Sequence, residues 1–194
     1  MNSPLLARLS KVVLVRLVLV RLALVACVLL MMGSTGVLPA QEAHHAGASV
    51  PSTRLTLRTA DGKTMVFSPE QLGAMPHVSV VVMNGHTNAN ESYGGVPLSS
   101  LLAMAGVAQG EAVKGSLLLT GVVAEGTDGY KVLYSIAEVD PAQHTGDVIV
   151  ADTLDGKKLG SEGAFKLVSS EDKRPARWVR NLSALSVISV AGGR

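Results

Sequence analysis

Thiolate chemistry is the first thing the residues limit. Cys27 is the only cysteine among 194 residues, and it lies in an N-terminal segment with the features of a cleavable signal. A chain that loses it has no thiolate for a metal, a nucleophile or a disulfide. His44 and His45 are adjacent. Trimming to Glu42 would make His44 the third residue, the geometry of an amino-terminal copper site, but cleavage after Gln41 is unusual. His77, His86 and His144 lack metal-ligand spacing and read as surface or loop histidines. Serines and acids are present, yet no Gly-x-Ser-x-Gly elbow, Gly-x-Gly-x-x-Gly loop or P-loop occurs. Asn84-Gly85 and Asn88–Asn90 make a polar loop where a small ligand would enter.

The elements that must position these residues follow a leader. Arg8, Lys11, Arg16 and Arg21 form a long basic region before the apolar run Leu22–Met32, and Leu38-Pro39-Ala40 offers a small residue at the cut. That run rises only about 16 Å as a helix, too short for a hydrocarbon core about 30 Å thick. Extending it back to Val12 would place Arg16 and Arg21 in the bilayer, so a retained anchor is the alternative reading. Leu24-Val25-Ala26-Cys27 is also similar to a lipoprotein cleavage box, though the apolar residues after Cys27 argue against it. Residues 1–40 are therefore expected to be a secretory signal. Residues 41–52 are expected to be a flexible lead-in, and 53–194 a single domain. Removing the four cations of the signal from 17 leaves 13 against 15 acids, a net charge of −2. That balance gives no case for nucleic-acid binding.

Within the domain, Leu55–Leu57 and Met65–Phe67 flank an Asp61-Gly62 turn and predict a hairpin. Ser68-Pro69-Glu70-Gln71 predicts a capping box opening a short helix to about Met75. His77–Met83 predicts a β-branched strand, and Pro97–Gly106 a helix. Further strands are expected at 116–123, 131–134, 148–151, 164–168 and 186–190, with turns at 126–129 and 155–156. Strands outnumber short helices, so the expected class is α+β with a mainly β core.

Three stretches carry more than composition. Tyr93-Gly94-Gly95-Val96-Pro97-Leu98 leads into a helix ending at Ala105-Gly106-Val107. Asp128-Gly129-Tyr130 precedes Ser135-Ile136-Ala137-Glu138-Val139-Asp140-Pro141. The third runs from Val148–Asp152 through Asp155–Leu159 and Gly163–Val168 to Asp172-Lys173-Arg174-Pro175-Ala176-Arg177-Trp178-Val179-Arg180. In this order the chain resembles the molybdopterin-binding oxidoreductase domain of the sulfite oxidase family, in its small stand-alone bacterial form, over roughly residues 54–190.

The resemblance implies a cofactor site bordered by Met83, Asn84, His86, Tyr93, Asp128, Tyr130, Lys173, Arg177 and Arg180. It also implies a molybdenum-ligating cysteine at the end of the strand, at or beside the position of Met83 in this chain. A thioether is a soft, uncharged ligand, poorly suited to a high-valent oxo-metal. Where the family often has a Val-Pro-Gly turn, this chain has Val168-Ser169-Ser170-Glu171, an acid where an anion needs donors. Arg177 and Arg180 match positions that present cations to the cofactor; a solvated turn over Trp178 is the alternative. The resemblance further implies a cofactor inserted before export, normally by the twin-arginine route, yet residues 1–40 contain no Arg-Arg pair.

The expectation is a secreted or periplasmic oxidoreductase-like domain without normal redox catalysis. Its molybdopterin would be lost, no catalytic or metal-ligating residue is assigned, and no other cofactor is expected. Its partner would be a small molecule or a periplasmic protein, with membrane contact only if the N-terminal segment is retained. Two alternatives remain: an active molybdenum oxidoreductase acting on a small oxo substrate, and a periplasmic anion carrier using Lys173, Arg177, Arg180 and the Asn84–Asn90 loop.

Overall fold

The computed structural model describes residues 50–85 and 88–190. The signal assigned to 1–40, most of the lead-in and His86 lie outside the described residues.

Among the described residues, ten strands form two five-stranded sheets. The first has the order β2-β1-β10-β5-β6, from β1 (Leu55–Arg58), β2 (Thr64–Phe67), β5 (Thr120–Gly126), β6 (Lys131–Ser135) and β10 (Leu182–Ser189). Only β1 and β10 run parallel. The second has the path β3-β4-β7-β8, from β3 (Val78–Asn84), β4 (Ala89–Pro97), β7 (Val148–Leu154) and β8 (Lys157–Lys158). In it β9 (Lys166–Ser169) also pairs with β7. Among the described residues, three short α-helices accompany the sheets: α1 (Pro69–Gly73), α2 (Leu98–Met104) and α3 (Ile136–Val139). This is the expected mainly β, α+β class.

The main core joins both sheets. Leu55, Leu57, Val122, Ala124, Leu185 and Val187 from the first meet Val96, Val150 and Leu167 from the second, with Leu72, Leu98, Leu101 and Leu102 of the helices. A smaller cluster on the second sheet contains Val80, Val82, Tyr93, Ile149, Ala151 and Val168, with Trp178 packed against it.

Local sequence explains the helix ends. Ser68 and Gln71 exchange side-chain and backbone hydrogen bonds in the expected capping box, satisfying donors that the first turn leaves open. Gly106, at φ +85°, stops α2, with its N–H bonded to the Ala103 carbonyl and that of Val107 to Leu102. Gly95 serves a different need: a Cβ there would lie 2.3 Å from the Val150 carbonyl oxygen. The tight β4–β7 approach therefore requires the second glycine of Tyr93-Gly94-Gly95.

Several boundaries move. Residues Gly115–Leu119 form a 3-10 turn, and the strand expected from 116 begins at Thr120. Residues 89–92, expected as loop, already belong to β4. These four residues pair with Val81–Asn84 of β3, and this pairing overrides their weak strand propensity; β7 joins the other side of β4 from Tyr93 onward. The final strand starts four residues earlier than expected, at Leu182. The lead-in is also tied down sooner than expected. Ser52 is buried, its N–H reaches Asn181 Oδ1, and its carbonyl accepts from Ala164.

Candidate functional site

Two charge centres gather half of the described site residues. The first is built on the second sheet. Lys166, at the start of β9, is only 5% exposed. Its Nζ donates to both carboxylate oxygens of Glu162 (2.8 and 3.0 Å) and to the Tyr93 hydroxyl (2.8 Å). It also stands 4.5 Å from the Tyr93 ring centre and 5.3 Å from that of Trp178. The two rings meet edge to face at 5.7 Å. The Tyr93 hydroxyl in turn donates to Glu91 Oε2 at 2.9 Å, and Asn84 Nδ2 donates to Glu91 Oε1 at 2.5 Å.

A buried ammonium thus has a carboxylate, a phenol and two aromatic faces around it, the compensation that burial of a charge demands. Burial raises the Tyr93 phenol well above its ordinary value, helped by its bond to Glu91 and by the negative charge of Glu162. The hydroxyl is held protonated as a donor to Glu91.

The second centre surrounds Arg177, which closes the 3-10 turn Pro175–Arg177. Its Nη1 donates to Glu138 Oε1 at 2.7 Å, and its Nη2 to Asp172 Oδ1 at 2.5 Å. The guanidinium carbon stands 4.5 Å from the Tyr134 ring centre, and the Tyr134 hydroxyl donates to the Arg177 carbonyl at 2.9 Å. Glu138 is placed by the one-turn helix α3, whose capping box it forms with Ser135. Burial opposes ionisation of Glu138, but the Arg177 and Ser135 hydrogen bonds outweigh it and hold the carboxyl below its ordinary value. The bond to Asp172 is the main cause of the raised Arg177 value.

Of the nine residues expected at the site, His86 lies outside the described residues and the other eight divide among several places. Asn84 and Tyr93 belong to the Lys166 centre. Tyr130 reaches the Arg177 turn, its hydroxyl donating to the Ala176 carbonyl. Asp128 accepts from the Tyr130 N–H at 3.0 Å and serves its turn. Lys173 and Arg180 are exposed. Met83 is 63% exposed. Side chains alternate along β3, so Met83 faces away from Asn84 and from Val80 and Val82 of the small cluster. His77, read as a surface or loop residue, hydrogen-bonds the Met75 carbonyl at 2.7 Å and Asp152 at 3.1 Å. Among the described residues, no group of three or more His, Cys, Asp or Glu side chains is placed to hold a metal ion.

Lys166, Glu162 and Glu91 were missed from sequence. One signal was available for Lys166: a single charge inside the otherwise apolar run Ala164-Phe165-Lys166-Leu167-Val168. Glu162 lies four residues earlier but not on a helix shared with it, so no periodic rule pairs them.

The described residues fit a molybdopterin poorly. Met83 faces away from Asn84 and Tyr93, and of the two cations that the resemblance implies at the cofactor, Arg177 is engaged by two carboxylates while Arg180 is exposed. Glu171 adds a further acid beside Asp172.

The fold places the chain among mainly β domains of sulfite-oxidase-like architecture. It is similar to the crystal structure of the sulfane dehydrogenase SoxCD from Paracoccus pantotrophus, with a TM-score of 0.54 and 23% sequence identity over 72% of this chain. The chain spans 39% of that protein chain's length. No family model matches the chain, and no curated protein matches it.

Proposed function

We propose that this chain is an exported sulfite-oxidase-like domain, periplasmic or secreted, that works as a binding or interaction module in place of molybdenum redox turnover. The fold likeness supports an oxidoreductase-like domain. The reading of its present role rests on one observation: Met83, at or beside the position matched to the ligand cysteine, presents an exposed thioether on the sheet face opposite Asn84 and Tyr93. Arg177 supports it, because a guanidinium already bridging Glu138 and Asp172 must give up two ion pairs to receive a phosphate.

The test is a molybdenum and pterin assay on protein purified from an exporting host with ample cofactor supply. A relative carrying the cysteine serves as the loaded control. The expected result is no molybdenum beside a loaded control. Near-stoichiometric molybdenum overturns the reading and directs the work to a small oxo substrate.

A further inference from the structure

The four ends of the two sheet paths are not finished alike. β8 consists of Lys157 and Lys158 and β6 begins with Lys131, whereas β2 and β3 carry no charge along their own length, β2 following Lys63 and β3 following Pro76 and His77. Edge lysines are a common device against strand-to-strand association, because they resist burial beside a second backbone. β3 is the longer of these two uncharged edges, seven residues against four. Its sequence Val78-Ser79-Val80-Val81-Val82-Met83-Asn84 contains no charge and no proline, and its seven-residue register with β4 is unbroken. Val81 and Met83 are 62% and 63% exposed on its outer face. Among the described residues, β4 is its only strand partner.

We propose that β3 is a self-association edge, pairing antiparallel with β3 of a second copy about a two-fold axis at Val81. This inference does not depend on whether a cofactor is bound. The strand is self-complementary in that arrangement. Val80 meets Val82 of the second copy, extending the apolar face of the small cluster. On the other face Val81 meets its own equivalent, and Ser79 meets Met83. No like charges oppose one another, and apolar or β-branched cross-strand pairs are the contacts that stabilise such ladders. A two-fold contact uses the same patch on both copies and therefore closes as a dimer. The join would make one continuous sheet of both copies and satisfy the outward-facing N–H and C=O groups of β3. Any partner offering a fixed charge pattern would find nothing on this strand to match it, whereas an identical uncharged strand matches it residue by residue.

The test is the mass in solution, by light scattering across a concentration series. The protein is recovered from an exporting host and all variants are checked by mass spectrometry to share one amino terminus. The unsubstituted chain is expected to shift from monomer to dimer with rising concentration. Val81→Lys is expected to weaken the dimer by about tenfold or more, by setting two ammonium groups against each other at the axis. Val81→Thr, which keeps a β-branched side chain, is expected to retain it. Val66→Lys, on the exposed face of β2, is expected to leave it unchanged. Thermal unfolding at concentrations where all are monomeric separates a folding defect from a lost contact. A monomer into the high micromolar range overturns the proposal, as does a dimer that Val81→Lys leaves intact.

Discussion

The Lys166 and Arg177 centres solve one problem at two depths. Each seats a cation against carboxylate and aromatic groups, and each takes its parts from distant points in the chain. The segment from Asp172 to Trp178 serves both, giving Arg177 and Asp172 to one centre and Trp178 to the other. Their exposures differ: the Lys166 side chain is 6% exposed, against 39% for Arg177. A buried charge stripped of its partner has no solvent to turn to, whereas a half-exposed one is rehydrated. The comparison therefore assigns Lys166 to the integrity of the second sheet and Arg177 to the fastening of a surface turn.

The largest effect should fall on the deeper centre. Glu162→Ala is expected to cost about 3 kcal/mol, because it leaves the Lys166 ammonium buried without its carboxylate. Adding Lys166→Met should recover most of that loss by removing the stranded charge. Urea unfolding followed through Trp178, the only tryptophan in the chain, measures both. A double variant no more stable than Glu162→Ala would break the assignment of Lys166 as a buried charge.

A smaller effect is expected at the other centre. Arg177→Ala should cost about 1 kcal/mol, and the cost should shrink in concentrated salt, where the screening length falls to about 3 Å. The cost of Glu162→Ala should persist there. Equal salt sensitivity at the two centres would erase the distinction in depth.

How much of this was legible beforehand depended on the range of the interactions. The hairpin at Asp61-Gly62, the Ser68 capping box and the Gly106 helix stop all lie within a few residues, and each is present as expected. β4 was cut short because Ala89-Asn90-Glu91-Ser92 is a polar stretch with little strand propensity of its own. It is a strand because β3, just before it, pairs with it from Asn84 opposite Ala89 to Val81 opposite Ser92, whereas β7 joins β4 only from Tyr93 onward. The final strand began early for a similar reason: Leu182 and Ala184 pair with Gly126 and Glu125. At the candidate site, the aromatic and glycine motif around Tyr93 was visible, but its partner Lys166 lies 73 residues on. The cationic run around Arg177 was equally visible. That its guanidinium is already bridged depends on Glu138, 39 residues earlier, and no local pattern joins them.

The smallest expected effect concerns pH, and it separates the centres by their chemistry. The Glu138 carboxyl is held below its ordinary value of 4.5 in the folded chain, chiefly because the Arg177 and Ser135 hydrogen bonds exceed the opposing effect of burial. A carboxyl whose folded value is depressed contributes stability that is present above its unfolded value and lost as the pH falls through the folded one. The Glu138–Arg177 pair should therefore stabilise the domain at neutral pH and release that contribution below about pH 4.5. Glu138→Gln removes the titrating group while keeping a side chain that can cap α3. The stability difference between the two proteins should be constant from neutral pH down to about 5 and then narrow with further acidification. A difference that stays constant through that acid range would mean that the pair contributes nothing through its charge, and that Arg177 is held by Asp172 and the Tyr134 ring instead.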